Sequence, residues 1–486
     1  MMSLFVSSIC DPGRMRLFRG VVLFLLLGSV VAALAQDTLP PPVLAYDGPY
    51  VIAGIIIDGN RTTKERVIMR ELLLREGDSV RTSEQLYYLV ERCRQNVYNM
   101  GLFNSVKIEP TYLSPSRVFL TVFLTERWFY WPTPIFKYSD PNFNTWWLTR
   151  DFRRVYYGAF LYRYNMRGRN ETLYAKVQLG YAKEFALRYR FPYVDRKQRW
   201  GLAFGAGRTR QDEITTGTIG NKREFITLRG RETRAEWKGD VEATLRPAFD
   251  LRHAFRLAYT SANTLDTVGV AYPNYFADGS NTIQYFTVTY SLVFDKRDNR
   301  VYPLSGSQTL LRLDHHGLGK LVGDEVDLTT FYAGYLRSWR LGERWSVGGS
   351  VRAKASVGPR LPYYLQQALG YDDYVRGYEY YVVDGEHFAL GKANILWALL
   401  KPHDYAFMKN DNFKTLYLAI YLNAFSDFGY VWDSRYSERN LLANDLQQGY
   451  GLGVNVVTSY DQVMRVEYAI NSQQERAFYL HFAQPF

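Results

Sequence analysis

The sequence predicts a mostly β fold: a transmembrane antiparallel β-barrel of about sixteen strands behind one small α/β domain. Three observations predict it. Residues 127–486 alternate apolar and polar side chains with period two. The chain carries 40 Tyr, 29 Phe and 10 Trp, rings that favour strands and suit a membrane–water boundary. Its N-terminus has the form of an export signal.

Taken in order, Arg14, Arg16 and Arg19 precede the apolar run VVLFLLLGSVVAALA, which ends in Ala33-Leu34-Ala35 ahead of Gln36. A basic start, a short apolar core and a small-x-small site are the parts of a secretory signal peptide. Residues 1–35 are therefore read as the signal, starting at Met1 or Met15; a membrane anchor would need a longer run. Cys10 leaves with it, and Cys93 is then the one cysteine, so no intramolecular disulfide staples the fold. Residues 36–49 are Pro-rich and read as a linker.

Residues 50–126 are mixed α/β. VIAGIII (51–57) is strand-like and stops at Asp58-Gly59-Asn60. Thr62 with Glu65 predicts a capping box and a helix to about Arg75; Thr82 with Gln85 predicts a second. Leu86, Leu89, Val90, Cys93, Val97 and Met100 recur at helical spacing, which places Cys93 in the core, and Gly101 stops the helix. SVKIE and RVFLTVFLTE read as strands.

After Glu126 the period is two. Phe286, Val288, Tyr290, Leu292 and Phe294 share one face; so do Leu173, Ala175, Val177 and Leu179, then Val347, Val351, Ala353 and Ala355, then Leu416, Leu418, Ile420 and Leu422. The opposite faces are polar and often charged. A soluble sandwich would alternate too, but repetition without a helix or a second core favours lipid outside and a wet, partly basic lumen inside. Residues 208–240 are polar enough to be strands reaching past the membrane or a long loop. In RAFYLHFAQPF, the last strand, Phe478, Leu480, Phe482 and the terminal Phe486 fall on one parity.

The net charge is +11, but the basic residues are spread singly along the strands, which argues against a nucleic-acid partner. No nucleophile elbow, zinc-protease motif or P-loop is present, so no enzyme chemistry, cofactor or metal is expected. GLGKLVG (317–323) reads as a loop, and the adjacent His315-His316 as a polar pair without a carboxylate cluster.

Four motifs remain: FDKRDNRVYPLSG (294–306), VRGY (375–378) inside the loop GYDDYVRGYEY, FSDFG (425–429), and GYGLGVNVV with the terminal Phe. In this order, behind a strand–helix–helix–strand–strand module that looks like one POTRA domain, they resemble the BamA/TamA-like family of POTRA-plus-β-barrel outer-membrane proteins, the bacterial surface antigens. The resemblance covers nearly the whole mature chain. It implies a POTRA domain over 50–126 in the periplasm and a barrel over 127–486 in the bacterial outer membrane.

It also implies that the sixth extracellular loop folds back into the lumen. There Arg376, in the motif Val375-Arg376-Gly377-Tyr378, would pair with Asp427; without the motifs Arg376 would read as a solvated loop residue. Asp295, Arg297, Asp298 and Gly306 are expected to order a strand end and its turn. The implied function is insertion or translocation of unfolded outer-membrane or secreted polypeptides, with outer-membrane lipid, and periplasmic chaperones or accessory lipoproteins, as further partners. Relatives of the main BamA type carry several POTRA domains and this chain has room for one, which leaves lipoprotein docking open. A passive or gated pore or receptor, and secretion of one dedicated partner, are the alternatives.

Two features bear on mechanism. An unpaired strand edge, at 105–109 or 51–57, could take up a client strand. Pro132 and Pro134 in the first barrel strand, with Pro485 and Phe486 at the end of the last, would weaken the seam where these strands meet, unless they are rim prolines outside the hydrogen-bonded span.

Overall fold

The computed structural model describes residues 48–138, 155–227, 232–276, 279–318, 326–358, 362–406, 415–434 and 439–483. The signal segment, most of the linker, Pro485 and Phe486 lie outside these residues, as does most of GLGKLVG.

The N-terminal module runs β1 (Tyr50–Asp58), α1 (Glu65–Met69), β2 (Ser79–Val80), α2 (Ser83–Tyr98), β3 (Phe103–Ser114) and β4 (Arg117–Glu126). Its sheet has the order β2-β1-β4-β3, with β1 parallel to β4 and β3 at an edge. Ile52, Ile68, Leu86, Cys93, Val97, Val118 and Val122 pack between the sheet and the helices. The Cys93 thiol is buried and accepts from Leu73 N at 3.1 Å. α2 starts as the sequence predicts, with Thr82 Oγ1 accepting from Gln85 N, and Gly101 follows its end with φ of 72°.

α1 departs from expectation. It is one turn long and begins after Lys64, with no side-chain cap. The backbone N–H groups of Thr62 and Thr63 instead donate to the carboxylate of Glu126, at the end of β4. A charged acceptor fixed by the sheet outcompetes the local cap.

The rest forms a sixteen-stranded sheet, each strand antiparallel to the next, from β5 (Tyr130–Tyr138) to the last strand (Arg476–Ala483). The exposed apolar side chains fall on the parity read from sequence: Val177, Val288, Val351, Leu422, Phe478, Leu480 and Phe482 all point outward. The inner face carries charge, paired between strands: Arg256 with Asp240 and Lys176 with Glu184 on adjacent strands, and Arg188 with Asp240 and Glu242 across an intervening strand. A sheet apolar outside and ionic inside fits lipid without and water within. Among the described residues no ladder joins β5 to the last strand.

The polar stretch 208–240 resolves into two barrel strands and a hairpin, Glu213–Ile219 with Lys222–Thr227. The hairpin tip crosses the mouth at the long-loop end. Gly220 N donates to Arg439 O, Val382 N to Asn221 O, and Leu442 N to Asn221 Oδ1, each at 2.9 Å. Below it the lumen keeps a cavity of about 760 Å³.

At the short-turn end the module sits against the barrel turns. Glu71, just after α1, holds Arg246 bidentately at 2.6 and 2.8 Å; Arg127 holds Asp461 at 2.5 and 3.0 Å. Asn99 reaches the turn 296–305 through Arg297 O and Asp298 O.

Candidate functional site: an arginine anchor and an open edge

The loop that carries Arg376 leaves the strand Trp345–Val357, enters the lumen, and returns at His387. Arg376 is 2% exposed and Asp427 is fully buried. Nε and Nη2 of Arg376 donate to the two Asp427 oxygens at 2.8 and 2.6 Å, and its backbone N–H donates to Oδ2 at 3.1 Å. A guanidinium fork on a carboxylate fixes direction as well as charge. Nη1 donates to Asn394 Oδ1 at 2.8 Å and to Glu467 Oε1 at 3.2 Å. The ring of Phe425 lies 3.9 Å beneath the guanidinium. Lys392 Nζ adds a charge 3.7 Å from Asp427.

The structure thus brings Arg376 and Asp427 together, and the neighbouring motif residues hold the loop. Val375 packs against Gly429, where a Cβ would strike its methyl group. Gly377 has φ of 95°, a conformation that favours glycine. Its carbonyl accepts from Asn471 Nδ2 at 3.0 Å. The Tyr378 hydroxyl meets Ser472 Oγ at 2.5 Å. Glu467, Asn394, Phe425 and Asn471 complete the anchor. The FSDFG motif names Phe425; the others carry no motif and share only an inward parity.

Asp295, Arg297, Asp298 and Gly306 lie apart from this anchor, at the opposite end. Arg297 forks onto Asp295 at 2.8 and 2.7 Å, and Asp298 Oδ1 accepts from Asn299 N and Leu304 N. Gly306 has φ of 97°, and a Cβ there would strike the carbonyl of Lys296. They order a turn, and the N-terminal module docks on it through Asn99.

Pro132 and Pro134 lie inside β5, opposite Leu161 and Ala159 of β6 (Val155–Met166). The direction of their missing N–H groups follows from the ladder. Phe129 O accepts from Tyr164 N, and the register to β6 is unbroken. Antiparallel neighbours alternate between bonding each other and pointing away. Residues 131, 133 and 135 therefore bond β6, while Tyr130, Pro132, Pro134 and Phe136 turn their backbone nitrogens to the open edge. The same reasoning from Asn471 N on Glu475 O turns those of Arg476, Phe478, Leu480 and Phe482 to the open edge of the last strand. The edge of β5 thus lacks two consecutive donors.

A second edge lies in the module. β3 is unpaired on one side, and a cavity of about 170 Å³ beside it is lined by Leu86, Tyr87, Val90, Ile108, Pro110 and Tyr112. β1 meets β2 only at Tyr50 and Val51, whereas among the described residues β3, including 105–109, has no ladder partner on its outer side along its whole length.

Residues 165–486 match the Omp85 superfamily domain, and residues 50–127 match the POTRA family described as a surface antigen variable number repeat. No curated protein matches the sequence. Among solved structures the chain is similar to BamA from Haemophilus ducreyi lacking POTRA domains 1–3, at 12% identity and a TM-score of 0.50 over 89% of this chain and 84% of that one. It is also similar to CdiB from Escherichia coli, at 10% identity and 0.49 over 97% and 98%, and to CdiB from Acinetobacter baumannii, at 11% and 0.47 over 90% and 73%.

Proposed function

The chain belongs to the Omp85 superfamily, and from that premise we propose that it is an outer-membrane insertase or translocase for unfolded polypeptides. Its short-turn end and POTRA domain face the periplasm. The observation that carries this reading is the asymmetric edge of β5, where Pro132 and Pro134 remove two donors from the place the barrel would close. A client strand in search of partners meets an edge that the barrel itself cannot satisfy. The last strand offers a full row of donors and acceptors, which bond any sequence through its backbone.

The mechanism has three parts. The POTRA edge strand β3 receives the client by strand addition, with the adjacent cavity taking an apolar side chain. The seam between β5 and the last strand parts, because the proline edge holds it weakly, and the client pairs there. The loop anchored by Arg376 stays fixed in the lumen and keeps the strands beside the seam rigid while the seam moves. The loop and the hairpin tip at Asn221 also occupy the mouth, which favours a gated assembly machine over a steadily open pore.

The test is conditional depletion followed by quantification of the barrel proteins of the outer membrane. A broad fall supports a general insertase, and loss of one protein a dedicated transporter. No loss, with altered solute permeability, would replace the reading with a pore.

A further inference from the structure

Three buried polar atoms near the anchored loop have no hydrogen-bond partner among the described residues: Oε1 of Glu379, Oε2 of Glu467 and Nε2 of His481. They lie together. The imidazole Nε2 is 3.4 Å from the Glu379 oxygen and 3.7 Å from the Glu467 oxygen. The other oxygens are already engaged: Glu379 Oε2 accepts from Gly377 N at 2.8 Å, and Glu467 Oε1 accepts from Arg376. Each carboxylate therefore turns its one spare oxygen to the same ring. The three residues come from three places that must stay in register: the loop, the penultimate strand (Gln462–Asn471), and the last strand at the open edge.

We propose that His481 is a proton-operated clasp tying the anchored loop to the last strand, so that protonation controls how firmly that edge is held. The proposal rests on the seam reading above and adds its regulation. A neutral ring protonated on Nε2 offers one N–H to one of the two carboxylate oxygens and leaves their charge uncompensated. With the ring protonated on both nitrogens, an N–H and a positive charge stand between them. Burial of the two spare oxygens enlarges that difference, because the surroundings screen it poorly.

The other groups facing His481 set the balance. Arg465 stands directly opposite it in the ladder and opposes a second positive charge. Tyr374 from the loop stacks on the ring at 5.6 Å, with Lys392 Nζ 4.3 Å from the Tyr374 ring, and Tyr479 lies at 6.4 Å. Arg376 already neutralises part of Glu467. Glu379 has no cation but the imidazole within ion-pair reach among the described residues, so it gains most from the proton. The clasp is closed at low pH and released as pH rises.

Hydrogen exchange of the purified full chain in micelles tests this, read by mass spectrometry on residues 374–381 and 476–483 and corrected for intrinsic rates. As pH is raised from about 5, where imidazoles are charged, through the loss of the ring's proton, protection of both segments should fall about tenfold. In His481→Gln it should not change with pH, and in Glu379→Gln the change should shrink, because Glu467 alone remains beside the ring. A flat wild-type profile, or a pH dependence that survives in His481→Gln, overturns the clasp. If His481→Gln fails to fold, Glu379→Gln carries the test. Asp427→Asn loosens the loop at every pH, which separates loss of the anchor from loss of the clasp. The assay needs no client, so its outcome is independent of whether the chain inserts proteins.

Discussion

The carbonyl oxygen of Arg376 passes directly over Gly449, at a point where any side chain would begin. The loop reaches Asp427 only because this strand presents no Cβ there. Gly449→Ala should therefore displace the loop, with a cost of about 1–3 kcal/mol as an overpacked contact. Limited proteolysis between residues 370 and 385 reads the displacement, and unchanged cleavage would count against it.

Removing one partner of the anchor leaves the other buried without a counter-charge. Asp427→Ala should destabilise the folded loop by about 3–5 kcal/mol, and Arg376→Ala by a similar amount. The double variant should be less damaged than the sum of the singles. A double-mutant cycle on thermal unfolding of the purified barrel measures the coupling; additive losses would mean the two residues act separately.

Replacing both Pro132 and Pro134 with Thr returns two donors to the open edge. Each new hydrogen bond should add about 0.5–1.5 kcal/mol to the seam. Unfolding temperature should rise and seam opening slow, read as faster disulfide capture between cysteines placed in β5 and the last strand. If stability and capture do not move, the prolines are bystanders.

The contact between the POTRA domain and the barrel should depend on acid. Burial alone pushes the Glu71 carboxyl up, but Arg246, Arg70 and Arg300 outweigh it and hold the group below its ordinary value of 4.5. A lowered value means that the contact contributes fully above the ordinary glutamate range and is lost as pH falls through the lowered one. Cross-linking of Glu71's neighbourhood to the turn at Arg246 should persist at pH about 5 and fail well below it. Glu71→Gln should weaken the contact throughout.

Much of the barrel was legible because strand parity depends only on period two. Val288, Val351, Leu422 and Phe478 face outward whatever their partners. The Arg376–Asp427 pair was legible because both residues sit in short motifs. Glu467, Asn394 and His481 were not. Each is one inward residue on a strand, and which of them meet depends on register, which a single strand does not encode. The predicted cap at Thr62 failed for a related reason: Glu126, distant in sequence, supplies the stronger acceptor. The hairpin at 213–227 was hidden because its folding over the mouth rests on contacts at Gly220 and Asn221 and on Ile214 packing with Tyr275, Phe276 and Tyr285, partners that no local pattern names.

The most direct test of the central claim is reconstitution into liposomes with an unfolded barrel polypeptide added outside, following the rate at which the client becomes protease-resistant. The account predicts faster folding than in empty liposomes, and loss of that gain when the seam is locked by a disulfide between β5 and the last strand. Equal rates with and without the protein, together with a steady ion conductance, would contradict it.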